Sequence, residues 1–138
     1  MNKNRLRWRQ RLQNLQLAHK RLTKACAQKT YNDLELAGLI QTFEFSFELS
    51  WKTLKDLLEF DGYDAASPRS VIRTALEANY ITAAQCETLL EALSKRNLLT
   101  HTYDEENVVE AQHLILEKFE PVLTAIVLSL TEKSNDEQ

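Results

Sequence analysis

Two glycines and two prolines in 138 residues set the tightest limit on what this chain can fold into. Average usage is roughly 7% glycine and 5% proline, so the residues that turn a chain sharply are scarce. A sandwich or barrel of short strands needs a turn signal about every 8–12 residues. Long helices joined by few connections are the architecture that remains. With 43% of residues apolar and 27% charged, the chain has material for a core and for a solvated surface. Its length predicts one domain over residues 1–138.

The apolar spacing agrees. Trp8, Leu12, Leu15, His19, Leu22 and Cys26 recur every three or four residues and predict a helix from near Arg5 to near Lys29. Asp33 is read as the N-cap of a second helix, with Phe43, Phe47, Ser50/Trp51, Leu54 and Leu58 as its stripe. Residues 43–49 also alternate as a strand would, but one helix explains every apolar position from Ala37 and Ile40 through Leu58. Phe45 and Leu49 widen that face beyond what one neighbour covers, which suits a subunit interface. Gly62 is a left-handed cap candidate.

Ser67-Pro68 opens a short helix over Val71, Ile72, Ala75 and Leu76, closing near Asn79. The Thr82–Gln85 capping box opens the next, with Cys86, Leu89, Leu90, Leu93 and Asn97 on one face. Thr102-Tyr103-Asp104-Glu105 reads as another capping box. It predicts a break near Thr100 and a last helix beginning just after His101, through Val108, Ile115, Phe119, Val122, Ile126 and Leu130. Pro121 should kink that helix, since its ring removes a backbone hydrogen bond. Residues from about 133 to 138 read as a frayed polar tail. The predicted fold is all-α: an up-and-down four-helix bundle with one additional short helix.

No run approaches the roughly 18 apolar residues of a membrane span, and Met1–Arg11 is basic and polar rather than a signal core. Cys26 and Cys86 are unclustered among apolar neighbours and read as buried free thiols. A cytoplasmic protein without membrane association is expected. The net charge of -3 hides an asymmetry: residues 1–32 carry nine basic groups and no acid, and all 20 acids lie beyond them. Arg5, Arg7, Arg9 and Arg11 therefore have two readings. They pair with the acidic helices or a partner subunit, or they form a phosphate-attracting face for RNA.

Arg96-Asn97-Leu98-Leu99-Thr100-His101-Thr102-Tyr103 carries the candidate chemistry. Arginine forks onto phosphate oxygens, and histidine is the side chain whose unperturbed pKa, about 6.5, lies nearest neutrality. A ribose 2′-OH can attack the adjacent phosphate if its proton is removed and the phosphoryl charge is stabilised. His101 is the candidate general base, or acid for the 5′-oxygen, and Arg96 the charge stabiliser. Asn97 can orient the phosphate or imidazole, and Tyr103 can donate a hydrogen bond or stack on a base. On a continuous helix Arg96 and Tyr103 share a face while His101 is about 140° away, so the motif makes most sense at a helix end. The plainer alternative is a helix cap, with Arg96 favouring the macrodipole. His19 lies on an apolar stripe and is read as a satisfied core or interface histidine. His19, His101 and His113 lack ligand spacing, so no metal and no cofactor is expected.

The chain resembles the nucleotidyltransferase substrate-binding family, the HepT-type toxins of the HEPN superfamily, over nearly its whole length. The matching pieces are the stretch from Phe43 to Lys52, then Ser67-Pro68-Arg69 with Arg73 and Asn79-Tyr80-Ile81, and finally the pattern R-x4-H-x-Y at Arg96, His101 and Tyr103. One departure is Leu89, where an aromatic is expected. The resemblance implies a HEPN-like bundle that dimerises, with a composite site between two copies of the motif, and metal-independent RNA cleavage by a toxin. It also implies a cognate minimal nucleotidyltransferase of the MntA type as antitoxin, transferring AMP onto Tyr103. A bulky anion beside Arg96 would fill the phosphate site and repel RNA. An older description of the family implies a different class of function: a non-catalytic subunit that presents substrate or nucleotide to a nucleotidyltransferase.

Overall fold

The computed structural model describes residues 3–136, and helices account for almost all of them. They are α1 (Lys3–Cys26), α2 (Asp33–Phe60), α3 (Pro68–Glu77), α4 (Ala83–His101), α5 (Glu105–Leu114) and α6 (Glu120–Asp136). A single π-helical turn, Ile115–Phe119, joins α5 to α6. No strand occurs among the described residues.

The caps explain the boundaries. Asn32, not Asp33, is the N-cap of α2: its side chain accepts from the Glu35 backbone N–H at 2.8 Å, and the Glu35 carboxylate accepts from the Asn32 N–H at 2.9 Å. Both residues are good caps, and the glutamate three residues beyond Asn32 completes the reciprocal pair. Gly62, at φ +92°, ends α2 in the left-handed region, and the Tyr63 N–H reaches back to the Leu58 carbonyl at 2.8 Å. Ser67 with Pro68, and Thr82 with Gln85, cap α3 and α4 as their sequences suggest.

The last connection differs from expectation. α4 runs through His101, and the N-cap of α5 is Asp104, which accepts from the Asn107 N–H at 2.8 Å. Thr102 and Tyr103 form the link between the two helices, with Thr102 extended at φ -138° and ψ 98°. Just before Pro121, where a kink is expected, the chain makes a π turn. The Glu120 backbone N–H donates to the Ile115 carbonyl, five residues back, which adds one residue to the turn beside a proline that cannot donate. The polar end does not fray where expected: α6 continues to Asp136, and residues 137–138 lie outside the described residues.

Polar contacts give the directions of the long helices. Between α1 and α2, Arg7 meets Glu59, Arg11 meets Asp56, and Ser46 donates to the Ala18 carbonyl, so these helices are antiparallel. Between α1 and α6, Arg9 meets Ser134, Gln16 meets Thr131 and His19 meets Thr124, again antiparallel. Lys95 and Glu91 on α4 pair with Glu110 and Lys118 in the reverse order. The four rods, with α5 and α6 as one, thus alternate up and down, and α3 is the additional short helix. Their core is shared. Phe43 stacks on Phe119 with ring centroids 5.2 Å apart, and Trp8, Leu15, Phe47, Leu57 and Ile72 are fully buried around them. Leu89 fills its expected aromatic position as a buried core residue.

Candidate active site

Arg96 sits just over one turn before the end of α4, half-buried against α2. Its Nη2 donates to Glu48 Oε2 at 3.1 Å, and its guanidinium lies 6.0 Å from the Phe47 ring centroid. Glu48 is itself fixed: the Trp51 indole N–H donates to the same Oε2 at 3.0 Å, and Lys52 lies 3.4 Å from Oε1. The helical spacing explains the cluster, since Glu48, Trp51 and Lys52 are three and four residues apart and share one face of α2. The Arg96 Nε–H is buried with no acceptor, so the guanidinium is held by Nη2 and by packing.

The remaining motif residues are more exposed. Asn97 and His101 stand on the surface of α4, and Tyr103 is 58% exposed on the link to α5. Arg96 lines a cleft of about 750 Å³ with Ala18 and Arg21 of α1 and Gln41, Thr42, Glu44, Phe45 and Glu48 of α2. Tyr103 lines a separate cleft of about 380 Å³ with Asp33, Leu36, Asp104, Glu105, Val108 and Val109. The two clefts share no residue, and His101 lines neither. Within the chain the motif is therefore strung along the end of α4 and the link after it rather than gathered into one pocket.

Electrostatics sharpen the Arg96 cleft. Burial pushes the Glu44 carboxyl above its ordinary range, and the Arg96 charge opposes that shift. His19 is not part of this site. Its Nε2 lies 2.7 Å from Thr124 Oγ1, and burial lowers its pKa while Glu120 works the other way. It is a half-buried, hydrogen-bonded histidine between α1 and α6. Cys86 is buried and Cys26 half-buried, both as free thiols. Burial, then Glu120, pushes the Cys26 thiol up to about 12, which makes it inert as a nucleophile.

The basic tract of α1 is engaged by neighbouring helices. Arg11 Nε holds the buried Asp56 carboxylate at 3.0 Å, Arg7 lies 3.6 Å from Glu59, and Arg9 donates to the Ser134 carbonyl at 2.8 Å. Among the described residues, no group of three or more His, Cys, Asp or Glu side chains converges as a metal site. Nor is any described helix long and apolar enough to cross a membrane.

Sequence reasoning passed over Glu48, Trp51, Glu44 and Arg21 as site residues. Glu48 and Trp51 had a signal in their three-residue spacing on the face that meets α4. Arg21 had none, because its place opposite Arg96 depends on how α1 crosses α2.

The fold and the motif define a class: an all-α up-and-down bundle with an Arg-x4-His-x-Tyr motif at the exposed end of one helix. The chain belongs to the family described as nucleotidyltransferase substrate binding protein like, whose profile matches residues 10–132. It is 33% identical over 82 residues to a protein of Haemophilus influenzae described as a probable ribonuclease HepT, a match covering 56% of this chain and 55% of that one. The chain thus spans about half the length of this curated relative. A crystal structure of a Thermus thermophilus protein superposes with a TM-score of 0.74 and 26% identity, covering 87% of this chain and 98% of that one. The resemblance to HepT-type chains carried by the motif stretches is supported by both the family profile and the Haemophilus protein.

Proposed function

We propose that this chain, a single HEPN-like domain, is the toxin of a toxin–antitoxin pair: a metal-independent endoribonuclease that acts as a homodimer. The observation that supports the reading best is an intact Arg96, His101 and Tyr103 pattern at the end of α4 and the link that follows it, in a member of this family. In the reaction, the 2′-oxygen attacks phosphorus as its proton leaves to one His101. The bond from phosphorus to the 5′-oxygen then breaks, and that oxygen takes a proton from a second imidazole. The products are a 2′,3′-cyclic phosphate and a 5′-hydroxyl. Arg96 stabilises the charge on the phosphoryl oxygens. Asn97 orients the phosphate and Tyr103 lies beside it. One protomer supplies one His101, and its Arg96 and Tyr103 open on different clefts. Both facts favour a composite site at a two-fold axis, where two motifs face each other.

The partner in this reading is a minimal nucleotidyltransferase of the MntA type. The exposed Tyr103 oxygen attacks the α-phosphorus of ATP, pyrophosphate leaves, and the AMP then blocks the site. The test is RNA degradation in EDTA by wild type and His101→Ala. Loss of cleavage in the variant is expected, and identical degradation would sink the reading.

The family description favours a second reading, a non-catalytic subunit that presents a substrate or nucleotide to a nucleotidyltransferase. Mass spectrometry after incubation with the partner and ATP separates the two. AMP on Tyr103 supports neutralisation of a toxin, and transfer to a third molecule supports presentation.

A further inference from the structure

The 750 Å³ cleft beside Arg96 has three features that the cleavage step does not use. Phe45 is 56% exposed on its wall, an aromatic face left in water on a helix where Phe43 and Phe47 are fully buried. Arg21 lines the same cleft from α1 and makes no hydrogen bond or ion pair among the described residues. Gln41 and Glu44, on successive turns of α2, add an amide and a carboxyl to the lining.

An apolar helix of a second copy fits this lining poorly, because covering it strips water from Arg21 and Glu44 without pairing them. A nucleotide fits each feature. Its base is a flat face for Phe45, its phosphate an acceptor for arginine, and its edge a set of donors and acceptors for Gln41 and Glu44. The Glu48 charge is countered by Arg96 and Lys52, with the Trp51 indole on the same oxygen as Arg96, which lessens its repulsion of a phosphate.

We infer that this cleft is a base subsite for single-stranded RNA, taking the nucleotide next to the phosphate held at Arg96. The base stacks on Phe45, its outer phosphate meets Arg21, and Gln41 with Glu44 selects a base with an exocyclic amino group over uracil. A carboxylate accepts from such an amine, and a donor at Glu44 offsets the cost of burying its charge. The inference rests on the ribonuclease reading for the identity of the strand.

The test measures fluorescence anisotropy of 2′-O-methyl oligo-A, oligo-C and oligo-U, which lack the attacking hydroxyl, against the full chain in its native assembly state. Phe45→Ala should weaken oligo-A binding by at least about fivefold, the lower end of the loss for one stacked base. Arg21→Gln should weaken all three oligonucleotides alike. Oligo-A and oligo-C should bind more tightly than oligo-U, and Glu44→Ala should narrow that gap. Phe45 is exposed, so its alanine variant is expected to fold, and sedimentation reports its assembly state. Equal affinities of wild type and Phe45→Ala overturn the inference. So does a Phe45→Ala protein that loses its partner copy while binding RNA normally, which assigns the cleft to an interface between copies. Phe45-dependent binding of AMP without any Phe45 dependence for the oligonucleotides overturns it in favour of a free nucleotide. Cleavage by His101→Ala is measured separately. Undiminished cleavage there removes the ribonuclease reading and leaves the binding result standing, whereas Phe45-independent binding with His101-dependent cleavage removes the subsite alone.

Discussion

Arg96 Nη2 and Glu48 Oε2 lie 3.1 Å apart, and the Trp51 indole holds that same oxygen at 3.0 Å from the other side. The arginine of the motif is thus aimed by a carboxylate on a neighbouring helix, which is itself aimed by an indole one turn along. A guanidinium on a long flexible stem loses much entropy when fixed, and here the fixing is done within the fold; in the proposed reaction it precedes substrate binding.

Glu48→Gln keeps an acceptor for Trp51 and removes the charge that orients Arg96. RNA cleavage should fall on the order of 10- to 100-fold in kcat, the range for a displaced catalytic group. Because the pair is partly exposed, thermal unfolding should report a change of less than about 1 kcal/mol. Wild-type kcat in this variant would show that Glu48 does not position Arg96.

The basic face of α1 divides sharply by burial. Arg11 pairs with Asp56, whose side chain is only 4% exposed, whereas Arg7 and Glu59 both reach solvent. Arg11→Ala leaves a buried carboxylate alone and should destabilise by about 3 kcal/mol. Arg7→Ala should cost less than about 0.5 kcal/mol. Replacing Arg11 and Asp56 together with Met and Leu should recover most of the loss, measured by urea unfolding. Equal effects of the two single variants would refute this ranking.

His19 gives α1 and α6 a pH-dependent contact. Burial lowers its folded pKa below the ordinary 6.5, so the unfolded chain takes up the proton first as pH falls. The neutral histidine therefore contributes its full stability above pH 6.5, and that contribution is lost as pH drops from 6.5 toward the folded value. His19→Asn removes the titration and can keep a hydrogen bond to Thr124. The difference in Tm between wild type and variant should be largest at about pH 7–8 and shrink toward about pH 5, a range that brackets the unfolded value. A constant difference across that range would mean His19 does not titrate on unfolding.

Much of the fold was legible because its signals are local. Apolar spacing located the long helices, and Gly62, Ser67-Pro68 and Thr82–Gln85 act through residues within a turn of one another. The misses arose where two local solutions compete. Asn32 and Asp33 are both good caps, and Asp104 outcompetes Thr102 at the start of α5. The π turn before Pro121 is a third case, since a proline can be met by a kink or by one added residue. At the site, the motif was readable as a string, but its surroundings were not. The Glu48–Arg96 pair joins residues 48 apart, and the Arg21–Phe45 cleft exists only because α1 crosses α2 where it does.

That crossing also bears on whether α1 attracts RNA. Arg11 is committed to the buried Asp56 and Arg9 to the Ser134 carbonyl, so the tract is best tested at members outside these two contacts. Arg5→Gln with Arg7→Gln leaves the buried pair intact. If these side chains contact single-stranded phosphates, each loss should flatten the slope of log K against log salt by about 0.7. The double variant should therefore bind RNA more weakly at low salt and converge on wild type as salt rises. Fluorescence anisotropy from low to moderate salt makes the comparison. An unchanged slope would assign the basic face of α1 to holding α2 and α6, with the RNA path confined to the Arg96 side of the bundle.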